Sequence, residues 1–238
     1  MVGILLFIFG DEYDKIGSAC LRFSRQHTSL PVHVVTNIRQ SDRWKGLDVS
    51  FQYVDVPTGD NRDVKTQMYK YTPFHRTLYM DCDAVVQNPG LEDVFSLLDG
   101  KDVALYRFDR WEKGHKVLSL YKEAMQMFDV GLPLNIWQGG FLAFHNTDAS
   151  IRLFKLWNDY WKQFGRRREM PCLACAEKKT KDLRVSVIPR HYFTADSLDD
   201  NVIVQHNAGN SFIQKFNLPP WERLDPYTKP GDFRWADL

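Results

Sequence analysis

Two acidic residues, Asp81 and Asp83, stand between short apolar runs in the segment 78–86. Residues two apart on a β-strand face the same side, so these carboxylates are expected to converge where the strand leaves a sheet. Two bare carboxylates at one place repel each other, whereas a divalent cation removes the repulsion and prefers oxygen ligands. Because ligands of open α/β sheets bind at the carboxyl ends of strands, the pattern predicts a metal site beside a phosphate-bearing ligand. The alternative is a loop whose acids face water or cap a helix.

Strand and helix patterns alternate along the chain, which predicts an α/β fold. Runs rich in β-branched and aromatic residues predict eight strands, and several are apolar throughout, as expected where both faces of a sheet are covered. These runs are 4–9, 32–36, 49–54, 77–80, 103–106, 141–144, 185–188 and 202–205. Apolar residues at helical spacing predict helices around 16–23, 118–128 and 154–164. Asp60 or Asn61 is expected to cap a further helix that ends at Pro73.

The 238 residues include 31 basic and 30 acidic ones, and 44% of them are hydrophobic. This composition suffices for one sizeable core, so a single domain over residues 1–238 is expected. The balanced charge provides no global field to recruit nucleic acid or an anionic membrane, and no nucleic-acid partner is expected. Residues 211–238 are rich in proline and aromatic residues, and they predict a tail packed on the domain.

The apolar start of the chain predicts a buried strand rather than a targeting signal, because no Lys or Arg precedes it and no small-residue cleavage site follows. It is also too short to span a bilayer, so no membrane span is expected. The four cysteines are not arranged as the two Cys-x-x-Cys pairs typical of structural zinc sites. This cysteine usage fits a reduced, cytoplasmic setting.

Two enzyme classes place an Asp-x-Asp motif after an apolar strand. In haloacid-dehalogenase-type phosphatases, Asp81 would be the nucleophile and Asp83 the acid. That class also expects an acidic pair just after a later strand, whereas Asp199 and Asp200 precede the predicted strand 202–205. In metal-dependent glycosyltransferases of GT-A type, the motif holds Mn²⁺ or Mg²⁺ against the diphosphate of a nucleotide sugar.

Over residues 3–210, the sequence resembles the nucleotide-diphospho-sugar transferases of GT-A type that are related to glycogenin. The matching motifs are FIFGDEY (7–13), RDVKTQMYKYTPFHRTLYMDCDAVV (62–86), WQGGFLAF (137–144), EMPCLACAEKK (169–179) and VIVQHNAGN (202–210). The resemblance implies a Rossmann-like GT-A fold with a mixed, mostly parallel central sheet flanked by helices. It also implies a hexosyltransferase that moves a sugar from a nucleotide-diphosphate donor, most simply a UDP-sugar, to an acceptor hydroxyl with Mn²⁺ or Mg²⁺ as cofactor.

The resemblance further implies a set of site residues. Metal ligands would be Asp81, Asp83 and His206, and catalytic residues would be Asp83, Gln138 and Glu169. The donor would contact Phe9, Gly10, Tyr13, Arg62, Lys65, Asp81, Cys82, Gly139, Gly140 and Lys215, with Tyr13 stacked on the base. Gln138 and Glu169 stand where the family usually has Asn and Asp, and Met170 stands where it has Gln. These departures leave a non-catalytic sugar-nucleotide-binding protein as a third alternative.

The acceptor, whether glycan, protein or small molecule, is expected to contact the loop 107–116 and the aromatic tail. Whether the configuration of the sugar is retained or inverted stays open, because no residue of the sequence is identified at the opposite face of the reacting carbon.

Overall fold

A computed structural model of the protein describes residues 1–39, 41–55, 61–108, 116–132, 134–195, 198–206 and 210–219. The strands are β1 (Val2–Ile8), β2 (Val32–Thr36), β3 (Val49–Tyr53), β4 (Arg76–Met80), β5 (Ala84–Val86), β6 (Val103–Arg107), β7 (Trp137–His145), β8 (Val185–Ile188), β9 (Phe193–Thr194) and β10 (Val204–His206). The α-helices are α1 (Asp11–Ser24), α2 (Arg62–Lys65), α3 (Lys116–Met127), α4 (Asp148–Gln163), α5 (Glu169–Lys179) and α6 (Asn210–Lys215). Four 3₁₀ helices cover Asp42–Trp44, Met68–Lys70, Leu91–Leu98 and Arg190–Tyr192.

Seven strands form the central sheet in the order β3-β2-β1-β4-β7-β6-β8. Strands β3, β2, β1 and β4 are parallel to one another, β6 is parallel to β8, and β7 runs antiparallel to both of its neighbours. The prediction of an α/β fold with a mixed, mostly parallel sheet flanked by helices is therefore confirmed. A second sheet of three short strands has the order β5-β10-β9.

The central sheet is covered on both faces, which explains the continuous apolar runs of its strands. Along β1, Leu5 and Phe7 face one hydrophobic cluster, while Ile4, Leu6 and Ile8 face another. The first cluster contains apolar side chains of α3, α4 and α5, including the fully buried Trp157 and Trp161 of α4. The second cluster contains Leu21 of α1 and apolar residues of the 3₁₀ helix Leu91–Leu98. The sheet is thus the middle layer of a three-layer domain.

Three expectations need correction. Residues 137–140 lie within strand β7 instead of preceding it, because they pair with Tyr106 and Arg107 of β6 and with the segment after β4. The helix expected to run toward Pro73 ends at Lys65 and is followed by the 3₁₀ helix Met68–Lys70. Asn61 occupies the N-cap position of α2, but its side chain forms no capping hydrogen bond.

Residues 212–218 pack on the domain, where Phe212, Phe216 and Leu218 join Ile16 and Cys20 of α1 in a third cluster. The rest of the predicted tail, 220–238, and most of the predicted acceptor loop, 109–115, lie outside the described residues. Of the helices in the described ranges, none combines the length and the apolar character needed to cross a membrane.

Candidate active site

Asp81 and Asp83 flank a tight turn between β4 and β5. The amide of Asp81 donates to the carbonyl of Gly140 at 2.8 Å, and the amide of Ala84 donates back to the carbonyl of Asp81 at 3.1 Å. The two aspartates converge where β4 leaves the sheet, as predicted, but not by alternation along a strand, because residues 81–83 are outside both strands. The turn between β4 and β5 brings the two carboxylates together at the carboxyl end of β4.

His206 completes a cluster with the two aspartates. It is the last residue of β10, and the antiparallel pairing of β10 with β5 places it opposite Ala84. Its Nε2 lies 3.0 Å from Asp83 Oδ1 and 3.8 Å from Asp81 Oδ2. One potential ligand atom from each of the three residues lies within 4.8 Å of the others. Two carboxylates and an imidazole that converge in this way are a suitable donor set for a divalent cation such as Mn²⁺.

The cluster is largely enclosed. The side chains of Asp83 and His206 are 8% and 5% exposed, whereas that of Asp81 is 23% exposed. The His206 ring stacks on Phe193 of the small sheet, with ring centroids 5.8 Å apart. Asp81 is therefore the member of the cluster that opens most toward solvent.

Two cations and a third carboxylate lie beside Asp81. Lys65 Nζ is 3.0 Å from Asp81 Oδ1 and 3.4 Å from Glu169 Oε1, and Arg62 Nε is 3.4 Å from Glu169 Oε2. The three-residue spacing of Arg62 and Lys65 on α2 does put both on one side of the helix, as the sequence predicts. Burial alone would lower the pKa of Lys65, but the carboxylates of Asp81 and Glu169 raise it above its usual value.

Glu169 begins helix α5, where the helix dipole favours an acidic residue. Burial alone would raise its pKa, but Lys65 and Arg62 outweigh burial and lower the pKa to about 2. A carboxylate with so low a pKa has little affinity for a proton, so it is a poor general base near neutral pH. The geometry gives Glu169 a role in holding the two cations, and the catalytic role that the resemblance implies for it stays a prediction.

Tyr79 also contacts Asp81, and the sequence prediction does not include it. Its hydroxyl donates to Asp81 Oδ1 at 2.6 Å, while its ring packs in the core and is 1% exposed. Burial and then the neighbouring Asp81 carboxylate raise the pKa of Tyr79 well above its usual value, so the hydroxyl remains a donor. The two-residue spacing of Tyr79 and Asp81 was a signal for this contact, because alternate residues of an extended segment share a face.

The first residues of β7 lie against this cluster. A Cβ on Gly140 would be 2.8 Å from Asp81 Cγ and would overlap Oδ2, and a Cβ on Gly139 would be 3.3 Å from Glu169 Oε1. The two glycines let the backbone of β7 approach Asp81 and Glu169 closely, and their predicted contact with the donor stays a prediction. Gln138 is 8% exposed, and its Oε1 accepts a hydrogen bond from the amide of Gly140 at 3.0 Å.

The segment predicted to receive the base lies at the same edge of the sheet, after β1. Gly10 has φ 88° and ψ 156°, and its amide donates to Asn37 Oδ1, which follows β2. Tyr13 is half-buried against two hydrophobic clusters. Phe9 is 7% exposed, and its ring centroid lies 6.5 Å from that of Phe7, so Phe9 is part of the core.

Replacing Gly10 with alanine is expected to lower the free energy of unfolding by about 1–3 kcal/mol, because its φ and ψ belong to a region that is essentially restricted to glycine. The added Cβ would meet nothing within 4 Å, so the cost comes from the backbone alone. Urea denaturation of the variant measures the effect. Gly131→Ala is the matched control, since Gly131 has open space and no positive φ, and it should change stability by less than about 0.5 kcal/mol. Equal stability of the two variants would contradict the argument.

Cys82 and Lys215, which are also predicted to contact the donor, have other neighbours in the structure. Cys82 is 6% exposed, and its Cβ faces helix α1, where a Cβ on Gly17 would come within 3.2 Å of it. Lys215 of α6 donates to Gln87 Oε1 at 2.7 Å and pairs with Asp200. Contact of either residue with the donor stays a prediction.

The fold of this protein also occurs in solved glycosyltransferase structures. No protein-family model matches the sequence, and no curated protein sequence is significantly similar to it. Solved structures with the same fold include galactosyltransferase LgtC in complex with donor and acceptor sugar analogs. That structure is 12% identical with a TM-score of 0.64, and the match covers 94% of this chain and 98% of LgtC.

Two other solved structures have the same fold. Mouse xyloside xylosyltransferase 1 in its apo form is 12% identical with a TM-score of 0.59, over 92% of this chain and all of that chain. The glycosyltransferase GlyE of Streptococcus pneumoniae TIGR4 is 12% identical with a TM-score of 0.63, over 93% of this chain and 62% of that chain. The protein therefore has the GT-A glycosyltransferase fold, as the sequence predicts. A specific relation to glycogenin is not part of this finding.

Proposed function

We propose that the protein is a glycosyltransferase that moves a sugar from a nucleotide-diphosphate donor, a UDP-sugar, to an acceptor hydroxyl. The observation that carries the proposal is the convergence of Asp81, Asp83 and His206 at the carboxyl end of β4, with Lys65 beside them. In open α/β sheets, ligands bind at this edge. The fold shared with galactosyltransferase LgtC and with xyloside xylosyltransferase 1 supports the same conclusion.

Asp81, Asp83 and His206 would hold Mn²⁺ or Mg²⁺. When bound, the cation would neutralise charge on the diphosphate as the glycosidic bond breaks. An imidazole ligand suits Mn²⁺ better than Mg²⁺, which prefers carboxylate and water oxygens. We therefore infer Mn²⁺ as the preferred ion.

The side chains around the cluster have separable roles in this proposal. Lys65 and Arg62 place positive charge beside the departing diphosphate, where preorganised charge is most effective. Glu169 keeps both cations in place in the absence of substrate. Gln138 uses Oε1 within its own strand, so Nε2 is the end of its side chain that would donate to a sugar oxygen. Gly10 and Tyr13, at the start of α1, would line the side of the site that receives the nucleotide base.

The phosphatase alternative is less well supported. It requires an acidic pair near Asp81, whereas the third member of the cluster in the described part of the chain is His206. Asp200 pairs with Lys215, and Asp199 accepts a hydrogen bond from the amide of Asn201. An aryl phosphate hydrolysed through a covalent phosphate on Asp81 would revive this alternative.

Calorimetric titration with UDP tests the proposal. UDP should bind in the presence of Mn²⁺ and bind far more weakly after the ion is removed with a chelator, because the diphosphate would then face the Asp81 and Asp83 carboxylates without a cation between them. Binding that does not depend on the metal, or no binding of any nucleoside diphosphate, would contradict the proposal. A panel of nucleotide sugars with mass analysis of the products then identifies the donor, and it separates a transferase from a protein that only binds sugar nucleotides.

A further inference from the structure

The Asp81 carboxylate is held at both of its oxygens. Oδ1 accepts hydrogen bonds from the Tyr79 hydroxyl at 2.6 Å and from Lys65 Nζ at 3.0 Å. Oδ2 lies so close to Gly140 that the Cβ of any other residue at that position would overlap it. Three separate elements, β4, α2 and β7, therefore fix the orientation of one carboxylate.

The two oxygens are consequently not equivalent. Both donors engage Oδ1, which leaves few lone-pair directions for a cation at that atom. Oδ2 is the oxygen that faces the rest of the cluster, at 3.8 Å from His206 Nε2. A carboxylate without these restraints could turn about its Cβ–Cγ bond and offer either oxygen, or both, to the ion.

We propose that Tyr79 and Gly140 are positioning residues that make Asp81 present Oδ2, and not Oδ1, to the divalent cation. The inference rests on the proposed function, because it assumes that the cluster binds a metal. Tyr79 acts through its hydrogen bond and Gly140 through its missing Cβ. Hydrogen-bond partners that orient a metal ligand commonly change metal affinity 10–100-fold when they are lost.

Tyr79→Phe isolates the hydrogen bond. The ring of Tyr79 lies under Lys65, with Nζ 5.3 Å from its centroid, and phenylalanine keeps that contact while it removes the hydroxyl. The variant protein, with no nucleotide present, is titrated with Mn²⁺, and the free ion is measured by electron paramagnetic resonance. We expect about 10-fold weaker Mn²⁺ binding than in the unaltered protein.

Tyr192→Phe is the matched control. Tyr192 is 6% exposed and belongs to a 3₁₀ helix, and no described hydrogen bond joins it to the cluster. It should keep the Mn²⁺ affinity of the unaltered protein. Thermal unfolding of both variants separates a loss of metal affinity from a loss of stability, because a merely structural role for Tyr79 would lower the melting temperature without weakening the binding of Mn²⁺ to the folded protein.

Gly140→Ala supplies an independent second variant. The added methyl group must displace Oδ2, so this variant should also bind Mn²⁺ at least about 10-fold more weakly. The inference is overturned if the unaltered protein binds Mn²⁺ and Tyr79→Phe binds it equally well, and the proposed function then survives. If the unaltered protein binds no Mn²⁺, both the inference and the metal site of the proposed function fail.

Discussion

Replacing Asp83 with asparagine is expected to weaken Mn²⁺ binding at least about 100-fold, since the loss of a direct ligand should exceed the 10–100-fold effect of a partner that only orients one. Asparagine has nearly the same shape as aspartate and can still form a hydrogen bond with His206 Nε2, which is 3.0 Å from Asp83 Oδ1. What is lost is one of the two negative charges that attract the ion. UDP binding should fall with metal binding, because the proposal makes the metal the main contact of the diphosphate.

The same substitution should leave the fold intact. Asp81 and Asp83 repel each other when no cation is bound, so the removal of one charge relieves that repulsion. Calorimetry with Mn²⁺ and circular dichroism provide the two measurements. Asp42→Asn is the matched control, because the Asp42 side chain is 87% exposed and, among the residues that the structure describes, pairs only with Lys45 at the surface. Unchanged Mn²⁺ affinity in Asp83→Asn would remove Asp83 from the metal site.

Replacing Lys65 with methionine is expected to lower the free energy of unfolding by about 3 kcal/mol, because removal of one partner leaves a buried charge uncompensated. The Lys65 side chain is 7% exposed, and it is shared between Asp81 and Glu169. Methionine fills a similar volume, so the loss reflects charge rather than packing. Arg62 still pairs with Glu169 in the variant, which keeps the effect at the lower end of the range for buried ion pairs.

A second substitution tests the cause of this loss. In the double variant Lys65→Met/Asp81→Asn, the carboxylate that lies 3.0 Å from Lys65 Nζ is replaced by a neutral amide, so part of the lost stability should return. Lys70→Met serves as the control, since Lys70 is exposed and bonds only to Gln67 among the described hydrogen bonds, and its effect should stay within about 0.5 kcal/mol. Urea denaturation measures all three variants. A similar small loss for Lys65→Met and Lys70→Met would show that the buried ion pair contributes little.

The strands of the central sheet could be predicted because their apolar runs are continuous. Both β2 and β8 have the bounds expected from the sequence, since turn-forming or polar residues flank each run. The short strands β5 and β9 and the start of β7 could not be predicted in this way. Gly139 and Gly140 have no intrinsic preference for a strand, and their extended conformation depends on pairing with segments distant in the chain.

The site was predictable in its ligand types and less so in its geometry. The aspartates and His206 do converge, but a turn and the pairing of β5 with β10 bring them together, and His206 contacts Asp83 across 123 residues, which alternation along one strand cannot do. The position of Lys65 beside Glu169 could not be predicted either, because the contact between these residues spans 104 residues of the chain. Sequence spacing predicts neighbours within an element, whereas these contacts join elements.

Strand β7 is antiparallel to its neighbours, and its direction determines which connections lie along the rim of the sheet, the edge that carries Asp81. The first residues of β7, and not its last, lie beside Asp81, at the edge of the sheet where β1, β2 and β4 end. An insertion before Trp137 would therefore extend over the same rim as an insertion after any of those parallel strands. Lengthened or exchanged connections at these places would change which ligands the rim can accommodate without altering a single pairing in the sheet.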